Sequence, residues 1–285
     1  MKFTAVAALA LLALAGANAQ AGGPRPVVVE LYTSQSCSSC PPADALLSKL
    51  ADRRDVIALS LPITYWDMFG WKDTLASDAN TRRQKAYAAT MGRGGIYTPQ
   101  IIIDGTRDVV GSRSEEVEDA IDLAEDIRDT AYDVLELQED VADIELPAGL
   151  TSVRAVTGNR LPKGWSVSVD LKPAGQRLNV AISGAPVTTG RKKLDATIWV
   201  LRVRSSATVR VTGGENKGRT LTYRNVVNDI ADVGRWRGKA MNFKLPPIDA
   251  KTPAHDSLAV IVQQGGYGRV LGAAYLNQAT YYARQ

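Results

Sequence analysis

The stretch Val27-Val28-Val29-Glu30-Leu31-Tyr32-Thr33-Ser34-Gln35-Ser36-Cys37-Ser38-Ser39-Cys40-Pro41-Pro42 joins an apolar run to a C-x-x-C and a pair of prolines. Cys37 and Cys40 are the only cysteines in 285 residues. The run over 27–32 predicts a buried strand. Pro41 and Pro42 suit the first turn of a helix, where a backbone N–H has no intrahelical acceptor. A sulfur at this strand-to-helix turn meets the unpaired N–H groups and positive dipole end of the helix, which favour thiolate over thiol. Such a pair performs dithiol chemistry: the Cys37 thiolate attacks a disulfide and Cys40 resolves the mixed disulfide. Two plainer uses compete with it. Zinc needs four ligands, and beyond two cysteines the chain offers a single His255, so no metal is expected. A structural disulfide closing so short a loop constrains little of the unfolded chain.

The compartment suits a disulfide. Met1-Lys2-Phe3 is a short basic start, residues 5–14 are apolar but too short to span a bilayer, and Ala17-Asn18-Ala19 supplies an A-x-A cleavage site. A signal peptide is predicted over 1–19, with the mature chain beginning at Gln20 and exported to the periplasm or beyond, where disulfides persist. No later run reaches the length of a transmembrane helix.

Farther along, Tyr97-Thr98-Pro99-Gln100-Ile101-Ile102-Ile103-Asp104-Gly105 reads as a proline entering a buried strand that ends in a turn. Proline cannot donate to the ladder. Pro99 therefore either starts the strand as an ordinary trans residue or follows a cis Thr98-Pro99 bond that presents the preceding backbone to a neighbouring chain.

Glu30-Leu31-Tyr32, the C-x-x-C at a helix start, and Thr98-Pro99 before a strand and a Gly turn together resemble the thioredoxin superfamily. Thr98-Pro99-Gln100-Ile101 followed by Val110-Gly111-Ser112 is similar to glutaredoxins. Cys37-Ser38-Ser39-Cys40-Pro41-Pro42-Ala43-Asp44, Tyr65-Trp66-Asp67, Gly70-Trp71-Lys72-Asp73 and Gly214-Glu215-Asn216-Lys217-Gly218-Arg219-Thr220-Leu221 resemble a bacterial family of secreted thioredoxin-like proteins known only as a domain of unknown function. The resemblance covers nearly the whole mature chain. It implies Cys37 as nucleophile, Cys40 as resolving thiol, Pro99 as a cis-proline beside them, and Glu30 in the place of a buried strand carboxylate that relays the resolving thiol's proton. The plainer reading of Glu30 is a solvated glutamate at a strand end. Where that family often carries a His and an Asp ahead of Tyr-Trp-Asp, this sequence has Pro62 and Thr64, so any acid–base role of those positions is absent here.

The expected architecture is α/β plus all-β. A thioredoxin-like domain over 26–130 continues from Cys40 with Ala43, Leu46, Leu47, Leu50 and Ala51 at helical spacing and a strand over 56–61. Residues 62–95 read as an insertion: an aromatic stretch, a helix from about Ser77 to Met91, and a Gly92-Arg93-Gly94-Gly95 stop. Tyr65, Trp66 and Trp71, with Thr98, are candidate substrate-binding residues, since rings beside the thiols would hold an extended peptide; the alternative is packing in the core.

Charge divides the rest. Residues 114–145 hold fourteen Asp or Glu against Arg128, while 150–285 hold twenty-one Lys or Arg against seven acids. The acidic block lacks Gly and Pro and keeps helical spacing, so it predicts one long or two successive helices, with 131–150 as an acidic helical linker. Beyond Pro147-Ala148-Gly149, short alternating runs predict an antiparallel β-sandwich over 151–285. Its basic excess either complements the acidic helix or faces an anionic envelope surface. Nucleic acid is not expected, because export removes the target and no recognition module is present. The loop 213–219 is either a binding loop or an ordinary glycine-rich hairpin connection.

The functional expectation is an exported thiol–disulfide exchange protein acting on protein thiols or disulfides, with no cofactor beyond the redox-active Cys37–Cys40 pair. The alternative is a non-catalytic envelope-binding or adaptor protein that keeps the thioredoxin-like scaffold and works through its basic sandwich. Glutathione binding ranks third. Ser38-Ser39 puts no charge between the sulfurs, so the direction of electron flow is open.

Overall fold

The computed structural model describes residues 26–136, 167–174, 177–184, 194–246 and 255–277, with side chains of the first stretch described through residue 127. The predicted export segment 1–19 and most of the predicted linker 131–150 lie outside the described residues.

The chain is a mixed α/β fold with one large sheet and few helices. β1 (Val27–Thr33) runs through the cysteine turn into α1 (Pro41–Leu50), and β2 (Val56–Pro62) returns parallel to β1 with Val27 opposite Val56. This is the βαβ unit predicted from the apolar runs. A single 3-10 turn (Asp67–Phe69) precedes α2 (Asp78–Thr90), whose first turn is capped by Ser77 Oγ accepting from the Asn80 N–H at 3.2 Å. β3 (Gln100–Ile103) pairs antiparallel with β1, and β4 (Arg107–Val110) pairs antiparallel with β3. α3 (Ser114–Glu136) closes this half.

Alternation along β1 sorts the two faces of the sheet. Val27, Val29 and Leu31 pack under α1 and α3 with Ala43, Leu47, Val117 and Ile121. Val28 and Tyr32 point to the other face, beside Tyr87 of α2.

The second half departs from the predicted free-standing sandwich. Its described strands are β5 (Ser168–Ala174), β6 (Arg177–Ser183), β7 (Ala196–Arg210), β8 (Thr220–Trp236), β9 (Met241–Leu245), β10 (Ser257–Gln264) and β11 (Val270–Asn277). Four of them extend the N-terminal sheet, giving the order β11-β10-β7-β8-β2-β1-β3-β4. The seam is a short parallel contact of β2 with β8, Ser60 opposite Val226. Only β5, β6 and β9 form a separate sheet, which lays Leu178, Val180 and Ile182 on Ile198, Val200 and Val260. Two sheets do face each other, but one of them is the C-terminal half of the shared sheet. The physical reason lies in β7: Trp199 and Leu201 enter the core that holds Tyr32 and Tyr87, while Ile198 and Val200 meet the small sheet. β7 is covered on both faces and paired along both edges, by β10 and by β8, and period-two patterning reports faces, not neighbours.

The acidic helix also stays with its own half. α3 packs on β1, β3 and β4. Among the described residues its carboxylates pair with Arg53, at 2.8 Å from Glu118 and 3.7 Å from Glu125, and with Arg113, at 3.0 Å from Glu116. Among the described residues the ion pairs of α3 reach Arg53 and Arg113, and none reaches a basic residue of the C-terminal strands. No helix among the described residues is long and apolar enough to cross a membrane.

Candidate functional site

The cysteine turn is built by the end of β1. The Cys37 N–H donates to Ser34 O at 3.2 Å, the Cys40 N–H to Cys37 O at 3.2 Å, and the N–H groups of Ala43 and Asp44 to Cys40 O at 2.9 and 3.1 Å. Cys40 is thus the N-cap of α1, and Pro41 and Pro42 fill the positions that need no acceptor. Cys37 and Cys40 form a disulfide with Cα atoms 5.4 Å apart. Both residues are fully excluded from solvent (0% exposed).

What buries them is the tip of the long β7–β8 hairpin, residues 211–219, together with the loop after the 3-10 turn. Asn216 Nδ2 donates to Gln35 O at 3.0 Å and Cys37 O at 2.8 Å, and Glu215 Oε2 accepts from the Ser38 N–H at 2.9 Å. The Ser38 side chain, and after it this backbone N–H, lower the Glu215 carboxyl from its ordinary value. From the other side Ser36 Oγ donates to Trp71 O at 3.1 Å, Trp71 Nε1 donates to Gln35 Oε1 at 2.7 Å, and the Gln35 N–H donates to Asp73 Oδ2 at 2.8 Å. The two covers touch: a Cβ on Gly213 would lie 2.4 Å from Gly70 O, and one on Gly214 would lie 3.2 Å from Trp71 Cβ. Gly214 also has φ +67°, so glycine is required there twice over.

The Thr98-Pro99 bond is cis. Pro99 O accepts from the Gly111 N–H at 2.9 Å, and Gly111 lies so close to α1 that a Cβ there would sit 3.1 Å from Ala43 Cβ. β3 thereby brings Pro99 to the first turn of the cysteine helix. Of the candidate substrate-binding residues, Tyr65 and Thr98 come together: burial raises the Tyr65 hydroxyl, which the neighbouring Gln84 and Thr98 side chains partly offset. Trp66 packs at 4.9 Å between ring centres with Phe69 and rests on the core, whereas Trp71 sits in the cover of the cysteine turn. Met68 and Phe69 are exposed beside them.

Of the two readings of Glu30, the solvated glutamate at a strand end is the one overturned. Glu30 is buried, not solvated, and it points to the sheet face opposite α1, where Arg83 Nε donates to Oε1 at 2.6 Å and the Tyr87 hydroxyl donates to Oε2. Arg83 Nη2 also donates to Gln263 Oε1 at 3.0 Å, and its guanidinium lies 5.1 to 5.8 Å from the ring centres of Tyr87, Trp199 and Tyr267. Burial works against the Arg83 charge, and Glu30, Tyr87 and Tyr32 together outweigh it, so the guanidinium is held above its ordinary value. This ion pair ties α2 and β1 to β10. Strand alternation places Glu30 away from the cysteine helix, since the residues of β1 that face α1 are the odd-numbered ones.

The carboxyl that shares the buried side of the cysteine helix is Asp44. Burial pushes it up to about 7, with Thr33 pulling down and Asp73 pushing up. Asp73 is itself raised to about 6 by burial, despite the bonds it accepts from the N–H groups of Gln35 and Leu75. Burial, with Asp44 and Asp73, also raises the Tyr223 hydroxyl. Helical spacing alone, four residues from Cys40, was the signal for Asp44. Among the described residues no group of three His, Cys, Asp or Glu could hold a metal ion.

The family described as a protein of unknown function, DUF1223, matches residues 28–154 and 150–263. This chain belongs to the DUF1223 family. The DUF1223 match runs through both the cysteine turn and the hairpin tip that covers it. No curated protein matches the chain. Among solved structures the DUF1223 chain is similar to protein AGR_C_4864 from Agrobacterium tumefaciens, an X-ray crystal structure, with 28% identity, 90% of this chain and 96% of that chain covered, and a TM-score of 0.66. HBP35 of Porphyromonas gingivalis is 12% identical over 90% of this chain and 76% of that chain, with a TM-score of 0.48.

Proposed function

We propose that this DUF1223 protein is an exported thiol–disulfide exchange protein on a thioredoxin-like N-terminal arrangement, with protein thiols or disulfides as partners. The observation that carries this reading is the Cys37–Cys40 disulfide at the N-terminus of α1. The chain order supports the scaffold: a parallel β1-α1-β2 unit, then β3 entered through cis-Pro99 and paired antiparallel with β1, then β4 and α3.

In the reducing direction the Cys37 thiolate, favoured by the helix N-terminus, attacks a substrate disulfide, forms a mixed disulfide and expels one substrate thiolate. Cys40 then attacks Cys37 Sγ, the Cys37–Cys40 bond forms, and the second substrate thiolate leaves. Two electrons pass from the dithiol to the substrate. Because both cysteines are buried under residues 211–219, exchange includes a step in which the hairpin tip lifts away, and Trp71 moves with it.

That same burial favours a second reading: a covered disulfide that staples the hairpin base of an envelope-binding adaptor. Equilibration in dithiothreitol and glutathione buffers separates the two. A potential of roughly −120 to −270 mV and a mixed disulfide trapped by Cys40→Ser fit exchange. A potential far below that range, with no trapped species, sinks exchange and leaves the staple.

A further inference from the structure

Asp44 is a buried carboxyl with no cation set against it among the described residues, and the Thr33 hydroxyl is the one side chain that favours its charged form. It is 7% exposed, and neither Oδ1 nor Oδ2 has a hydrogen-bond partner of normal geometry. Buried polar atoms in native proteins are nearly always paired, so an orphaned carboxyl is a statement about function or about bound water. We infer that Asp44 is the proton acceptor and donor for the Cys40 thiol in the resolving step of disulfide exchange, an assignment that rests on the exchange reading above.

The geometry comes from the helix. Cys40 has helical backbone angles (φ −78°, ψ −36°) and the Asp44 N–H donates to Cys40 O at 3.1 Å, so the two side chains stack one turn apart. Both lie on the inward face with Ala43 and Leu47. The groups around Asp44 come from every neighbouring element. Thr33 ends β1 with its buried hydroxyl toward Asp44, and Tyr223 stands on β8 with a buried hydroxyl that has no hydrogen-bond partner; Ser60 on β2 faces the same side of the sheet; Asp73 approaches from the loop after the 3-10 turn; and the charge of Arg219, on the hairpin tip, acts on Tyr223. Arg219 is bonded to Asn216 Oδ1 at 2.9 Å, so the nearest cation is held by the cover and not by the carboxyl. A carboxyl in this setting changes protonation near neutral pH, where proton transfer in both directions is efficient. Of the other buried carboxyls named above, Glu30 is paired on the far side of the sheet, and Asp73 has both oxygens taken by the N–H groups of Gln35 and Leu75.

The step balances. In the mixed disulfide of Cys37 with a substrate thiol, the Cys40 thiol gives its proton to the Asp44 carboxylate, directly or through one water. The Cys40 thiolate attacks Cys37 Sγ, the Cys37–Cys40 bond forms, and the bond from Cys37 to the substrate sulfur breaks. The substrate thiolate leaves with the electron pair and is protonated from solvent. In the oxidising direction Asp44 returns the proton to the departing Cys40 thiolate.

An aromatic disulfide that releases a coloured thiolate reads both steps in the reduced wild-type protein: the first release reports attack by Cys37 and the second reports resolution by Cys40. Asp44→Asn is expected to leave the first phase unchanged, slow the second about 10²-fold, and remove its inflection near neutral pH. A second phase that keeps its rate and pH profile overturns the assignment while leaving exchange intact. Absence of both phases in the wild-type protein refutes exchange itself, and this inference with it. Should Asp44→Asn fail to fold, carbon-13 resonances of aspartate carboxyls in the wild-type protein decide the matter: one must titrate at about 7 and shift its midpoint between the disulfide and dithiol forms. A midpoint indifferent to redox state overturns the role. A merely structural Asp44 would lower stability without separating the two kinetic phases.

Discussion

Asn216, at the tip of the β7–β8 hairpin, holds the backbone of Cys37: one side-chain nitrogen donates to Gln35 O at 3.0 Å and to Cys37 O at 2.8 Å, across 179 residues of sequence to the cysteine. The bond couples the two halves of the chain at the disulfide itself. Because the amide is buried, nothing from solvent replaces it.

Asn216→Ala removes the side-chain donor to the buried Gln35 O and one of two donors to Cys37 O, which keeps the Cys40 N–H, and costs about 1–3 kcal/mol. If that loss falls on closure of the hairpin tip, the disulfide becomes reducible by dithiothreitol about 5- to 150-fold faster. Urea unfolding and the reduction rate, measured side by side, check both numbers. An unchanged reduction rate would show that the tip does not gate the disulfide.

Gly213→Ala tests the same gate by steric means. The new Cβ would meet Gly70 O at 2.4 Å, a backbone atom that cannot swing away. The two covers of the cysteine turn should part, and reduction should accelerate. Gly94→Ala is the control, since nothing lies within 4 Å of a Cβ there; it should reduce at the wild-type rate.

Stability should fall as pH rises through the Asp44 titration. The folded state holds this carboxyl protonated up to about 7 against an ordinary value of 3.8, so between those limits the folded chain binds more protons than the unfolded chain. The stabilisation is therefore complete below the unfolded value and lost as pH climbs to the folded one, on the order of 4 kcal/mol at most. Asp73, raised to about 6, adds a slope of the same sign. Urea midpoints across pH should show a shallower slope for Asp44→Asn than for wild type; parallel slopes would mean Asp44 ionises freely in the fold.

Glu30→Gln should behave differently from Asp44→Asn. It strands the buried Arg83 guanidinium and should cost about 3–5 kcal/mol. Per folded molecule, the pH profile of exchange should not change, because Glu30 faces away from α1. A resolving step slowed by Glu30→Gln as by Asp44→Asn would contradict that placement.

Some of this was legible in the residues because it is local. The apolar run 27–32, the C-x-x-C and Pro41-Pro42 determine a strand, a turn and a helix start within sixteen residues, and hydrogen bonds of short span then fix the sulfurs at the N-terminus of α1. Ser77 and the glycines at 92–95 bounded α2 for the same reason. The alternating runs after residue 165 announced strands, and the choice between trans and cis at Pro99 was visible as a question.

The tertiary structure decided what depends on neighbours far along the chain. Whether β7 and β8 close their own sandwich or join β2 is decided where β8 meets β2, at Ser60 and Val226 and through Asn225 Nδ2 donating to Ala58 O at 2.9 Å, and side-chain periodicity carries no information about which strand lies alongside. Glu30 was drawn to Arg83, fifty-three residues away, because a carboxylate on an even position of β1 faces α2. The covering of Cys37 by Asn216, and the isolation of Asp44 among Thr33, Asp73 and Tyr223, arise where four segments converge. Sequence supplied the sulfurs and their helix; only packing determined that solvent is kept from them and that a carboxyl with no cation set against it is buried one turn away.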